Sequence, residues 1–128
     1  MVDTSLDDGV RIAQLLASDL VGHEGRLADV TVTDADPDVD PTTDGSRAYV
    51  VRTADRPLAT AFVHPDRARL EFRVAHEAVV DAAREAGLRA RPKAVDPPRT
   101  IVFVEDGAEV KRALSVVEAA VENYRKSS

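Results

Sequence analysis

The stretch RAYVVRTADRPLATAFVHPDRARLEFRV, residues 47–74, decides the fold. It holds three strand-like runs, 47–53, 58–63 and 69–74, separated by short turns marked by Pro57 and Pro65. A connection to a parallel neighbour needs a crossover of a dozen or more residues, so turns this short predict an antiparallel meander. In the last run Leu70, Phe72 and Val74 alternate with Arg69, Glu71 and Arg73. That period of two predicts one buried sheet face and one wet face.

Upstream, Leu6, Val10, Ala13, Ala17 and Leu20 form one stripe, so a helix is expected over residues 6–20, with Ser5 and Asp8 at capping-box spacing. Gly22 and Gly25 end it, and Ala28, Val30 and Val32 alternate with Asp29, Thr31 and Thr33 as in a half-buried strand. A ladder of Asp34, Asp36, Asp38, Asp40 and Asp44, interrupted by Pro37 and Pro41, then reads as an acidic loop at about 34–46, too polar to pack. Downstream, residues 75–86 predict a second helix closed by Gly87, where a left-handed cap is usual. Residues 88–98 are basic and rich in Pro, with room for a short edge strand at their start. The continuously apolar run 101–104 reads as a well-buried strand. Asp106-Gly107 turns it into a last helix whose stripe is Val110, Leu114, Val117, Val121 and Tyr124.

The expected order is α-β-β-β-β-α-(β)-β-α in one domain spanning residues 1–128. The fold class is α+β, an antiparallel sheet of about five strands with helices on one face. A strand Leu70-Glu71-Phe72-Arg73-Val74 leading into a helix, the segment RPKAVDPPR, a short strand and a final helix ending near Tyr124 together resemble the YjbR-like group of small proteins. That group shares a wider fold with type III secretion chaperones and the N-terminal domain of the competence regulator TfoX. The resemblance covers nearly the whole chain through topology and patterning. It implies an α+β fold and no particular activity.

At 128 residues the chain can bury about two thirds of its unfolded surface around one core. It has no Cys, which excludes disulfides, thiolate chemistry and Cys-based zinc sites and makes a reducing cytoplasm the expected compartment. No apolar run approaches the length of a membrane span and the first eight residues carry no base, so neither a signal peptide nor a membrane segment is expected. Of 17 basic residues only three are Lys, and acids number 23. A Debye length of about 3 Å at 1 M salt would screen repulsion among surface acids, so this composition points to a salt-adapted cytoplasm. Charge is also uneven: residues 1–46 hold 11 acids and two bases, residues 47–99 seven acids and 11 bases. The basic middle could form an anion-binding face, or it could receive the acidic loop of its own fold.

Recurrent chemical motifs are not matched. Counted from Asp34 or Asp36, the Asp ladder lacks the Gly at position 6 and the Glu at position 12 of a calcium loop. His76-Glu77 lacks a second His at position 80, which is Val80, and His23 and His64 read as isolated turn residues at the surface. There is no G-x-S-x-G elbow around a Ser and no phosphate loop. No metal, cofactor or catalytic residue is therefore expected. What remains is basic: Arg52, Arg69 and Arg73 on the wet sheet face, with Arg89, Arg91, Lys93 and Arg99 in the connecting segment. Guanidinium geometry suits carboxylate and phosphate. The expected function is a small cytoplasmic binding or scaffold protein without intrinsic catalysis, acting on a partner protein through these residues and forming a homodimer through either the polar sheet face or a helix edge. Nucleic-acid binding through the same residues is the alternative, disfavoured by the acidic total charge and the scarcity of aromatic residues for stacking. A small-molecule enzyme, the third reading, requires a pocket in which His64 or His76 meets a carboxylate.

Overall fold

The computed structural model describes residues 8–22, 29–53, 56–95 and 97–127. Within them run α1 (Gly9–Gly22), β1 (Thr31–Thr33), β2 (Ser46–Thr53), β3 (Arg56–Val63), β4 (Ala68–Phe72), α2 (His76–Ala86), β5 (Ala90–Lys93), β6 (Arg99–Val104) and α3 (Gly107–Ser127). The six strands form one antiparallel sheet in the order β1-β2-β3-β4-β6-β5. The fold is α+β. The expected meander is β2-β3-β4, and the anticipated edge strand is β5, which makes six strands rather than five.

Register separates two faces. Ala61, Leu70 and Val102 stand in one row across β3, β4 and β6, as do Ala59, Phe72 and Thr100. Apart from Thr100, which is buried beside them, these join Tyr49, Val51, Val63 and Val104 in the apolar core. All three helices pack on this face: α1 against β1, β3 and β4, α2 against β5 and β6, and α3 against β6 and both other helices. The stripe of α3 enters the core as expected, with Val110, Val117 and Val121 buried and Ala113, Val116 and Ala120 beside them. Tyr49 ties the layers together, its buried hydroxyl donating to the Ala13 carbonyl of α1 at 2.7 Å.

Helix ends are set by local chemistry. Asp8 caps α1 by accepting from the Val10 and Arg11 amides at 3.0 and 3.3 Å, and the described helix runs from Gly9. The expected Ser5 cap, the start at Leu6, and Gly25, Ala28 and His23 lie outside the described residues. Asp106 caps α3 through the Glu109 amide at 2.9 Å, and Glu109 reaches back to the Glu105 amide at 2.8 Å. Gly87 closes α2 in the expected left-handed conformation, at φ 75°. No helix among the described residues is long and apolar enough to cross a membrane.

Two expectations are corrected. The Asp loop packs: the Asp36 amide donates to Ala48 O at 2.9 Å, Asp36 turns the chain by accepting from the Asp38 amide, and Val39 is half-buried against the core. The carboxylates stay outside while backbone groups and Val39 make the contacts, which is why a polar loop can lie down. The second sheet face is also not simply wet. Val50, Thr60, Glu71, Ile101 and Phe103 lie on it and are all buried.

Candidate functional site

The site grows from one buried acid. Glu71 sits at the centre of β4, paired across the strands with Thr60 and Ile101 on the second face, and its side chain is fully buried. A carboxylate in that position must be neutralised by hydrogen-bonded cations. Three converge on it. Arg69, two residues along the strand, donates through Nε and Nη2 to Oε2 at 2.9 and 2.8 Å. Lys93 reaches across from β5 at 3.3 and 3.4 Å, and Arg99 from β6 at 3.4 Å. Burial is the largest influence on this carboxyl and pushes its pKa up. The hydrogen bonds and charges of Arg69 and Lys93 together outweigh it and hold the pKa below the usual range.

Arg69 is fully engaged by the fold. Its Nη1 donates to Asp44 O and to His64 Nε2, both at 2.8 Å, and its guanidinium lies 4.4 Å from the Phe62 ring centroid. An arginine only donates, so His64 Nε2 is the acceptor, and the ring proton rests on Nδ1, 2.9 Å from Thr43 O. The expectation of His64 as a surface turn residue is therefore corrected: it is 5% exposed and locks the β3–β4 turn to the end of the Asp loop. It meets an arginine and a carbonyl, and both of its nitrogens are taken. His76 meets the Thr100 hydroxyl at 2.8 Å.

Burial is the leading cause that lowers the His64 pKa, reinforced by the charges of Arg69 and Arg67 and opposed by the Thr43 bond and Asp66. A depressed folded pKa means that stability is complete above the unfolded value of about 6.5 and falls as pH drops below it. Urea midpoints measured from pH 8 to pH 5 should therefore decline. His64→Gln should flatten that decline, whereas an unchanged slope would show that His64 is not its source.

Beside this cluster the face dips into a concavity of about 290 Å³, lined by Thr43, Asp44, His64, Arg67, Arg69, Glu71, Arg91, Lys93, Ile101 and Phe103. Phe103 forms its aromatic wall, with the guanidiniums of Arg89, Arg67 and Arg91 5.3, 5.4 and 5.6 Å from the ring centroid. Arg89 is also bridged to Glu105 at 3.1 Å. Arg67 and Arg91 have no ion-pair partner among the described residues.

Most of the basic residues singled out in the sequence thus gather here. Arg69, Lys93 and Arg99 meet at Glu71, and Arg89 and Arg91 at Phe103. Arg73 lies just past β4, and its Nη2 reaches the Thr60 hydroxyl at 3.3 Å. Arg52 shares the face by register, opposite Thr31, but at the far β1 side. The sequence reading missed Arg67, which looked like part of a turn, and Ile101 and Phe103, which looked like core. The signal was present: an uninterrupted apolar run on β6 means that both faces of that strand are covered.

The whole chain, residues 1–128, matches the profile of a family of unknown function, DUF7993. The chain belongs to that family. No curated protein and no solved structure gave a match. For this family member, function must be argued from the site. Among the described residues no group of three His, Asp or Glu side chains converges as a metal site would need.

Proposed function

We propose that this protein is a binding protein without intrinsic catalysis, working in a salt-adapted cytoplasm, that docks an acidic partner protein on the second face of its sheet. The observation that carries the reading is the excess of cations around one buried acid. Arg69, Lys93 and Arg99 converge on Glu71, while Arg67 and Arg91 stand beside them with no acidic partner among the described residues. Anchored cations over an apolar floor favour a carboxylate-bearing surface and discriminate by charge. Kinship with the YjbR-like group belongs to the same proposal and rests on the order of elements. A homodimer, also part of it, would pair through a helix edge, because two copies of this sheet face would set like charges against each other.

The guanidiniums stacked at Phe62 and Phe103 weigh against nucleic acid, since those rings are not open to bases. Reversal of Arg69 would test folding rather than binding, so the informative variants are the exposed Arg73→Glu and Arg91→Glu. Fluorescence anisotropy with a labelled oligoglutamate peptide should show binding that each variant weakens about tenfold, as expected for loss of a charge-assisted contact. A single-stranded oligonucleotide should bind more weakly than the peptide. Peptide affinity unchanged in both variants, or a tighter oligonucleotide complex, would overturn the reading.

A further inference from the structure

Within that face the free cations have a geometry of their own. Arg69 has every nitrogen committed to Glu71, Asp44 O or His64, so it is scaffold. Arg67 is different. Its Nε–H is buried and has no acceptor among the described residues, an unfavourable state for a buried donor. Arg91, on the neighbouring edge strand, stands at the same Phe103 ring and has no ion-pair partner among the described residues. Lys93 spends one ammonium on Glu71 at 3.3 Å or more, long enough for the group to turn toward another acceptor, and its side chain is 39% exposed. The lining of the concavity therefore holds four bases, Arg67, Arg69, Arg91 and Lys93, against two acids, Asp44 and Glu71.

We propose that this concavity seats a phosphate dianion of a small phosphate ester, held by the guanidiniums of Arg67 and Arg91 and the ammonium of Lys93 against the Phe103 wall. The inference rests on the reading of the second sheet face as the binding surface and gives that surface a small-molecule ligand. A surplus of two positive charges matches a dianion better than a single carboxylate. The volume of about 290 Å³ lies at the lower limit of small-molecule pockets, enough for phosphate and a short ester arm. Guanidiniums held by ring stacking keep their orientation before the anion arrives, which reduces the ordering cost of binding. The partial burial of the seat leaves it less screened than an open basic surface, so it suits a salty solvent.

Calorimetry of the intact protein with inorganic phosphate at about 0.1 M ionic strength, with acetate as the monoanionic control, tests the seat. Phosphate should bind at millimolar concentrations or below and acetate should not. Arg91→Gln, at an exposed position that leaves folding intact, should weaken phosphate about tenfold, and Arg67→Gln at least as much. Absence of a phosphate response, equal response to acetate, or full affinity in Arg91→Gln would overturn the proposal. Oligoglutamate binding without any phosphate response would sink the seat and leave the protein-docking reading standing. Phosphate binding without peptide binding would do the reverse.

Discussion

Gly9→Ala is expected to lose about 3 kcal/mol of stability or to prevent folding, although helix propensity alone predicts a gain of up to about 1 kcal/mol. Gly9 is the first residue of α1 and is buried against the turn between β3 and β4, where its amide donates to Pro65 O at 3.3 Å. A Cβ built there would run into the carbonyl oxygens of His64 and Arg67. Both belong to backbone, and the turn that carries them is closed by the His64 amide donating to Arg67 O at 2.8 Å. Neither can move without opening the turn or lifting α1 off the sheet. The same turn presents His64 and Arg67 to the concavity, so a surviving variant should also bind anions less tightly. Urea denaturation measures the first effect directly, and a variant as stable as the wild type would show that the close approach is not real.

Glu71→Gln is the second large effect. The substitution keeps size and shape but removes the one charge that Arg69, Lys93 and Arg99 share. Breaking a buried ion pair from one side costs about 3–5 kcal/mol, because the partners stay behind uncompensated. Lys93 and Arg99, with side chains 39% and 27% exposed, can turn outward and recover water, whereas Arg69 at 12% cannot. The expected loss is therefore at the lower end, about 3 kcal/mol. The pH dependence follows from the lowered carboxyl pKa. A depressed folded value gives stability that is present above the unfolded value, near 4.5, and is lost as pH falls through the folded one. Wild-type stability should drop steeply below about pH 4.5, and the Gln variant, unstable throughout, should drop less. Equal acid slopes in the two proteins would remove Glu71 as the cause.

The meander was legible because alternation and short turns are local signals, and α3 because its stripe runs over four turns. The second face was harder to read. Arg69 and Glu71 alternate with Leu70 and Phe72 just as residues of a solvated face would, and nothing in that period shows that Glu71 is buried. Its burial comes from two long-range events. Lys93 and Arg99 arrive from strands 22 and 28 residues away, and the end of the Asp loop places Thr43 and Asp44 over the β3–β4 turn. Cross-strand neighbours are fixed by the strand order, in which β6 inserts between β4 and β5, and no local pattern encodes that order. The Asp ladder misled for a related reason. Its carboxylates are as polar as they look, but Val39 and the carbonyls of Thr43 and Asp44 make the contacts.

In the proposed function the concavity beside Glu71 is where this protein meets an anion. Amide chemical-shift mapping of the isotopically labelled protein during a phosphate titration tests it most directly. Shifts should concentrate at Arg67, Arg91, Lys93 and Phe103 and saturate together, with the outer surfaces of α2 and α3 unmoved. Shifts scattered over the surface, or centred on the helices, would contradict it.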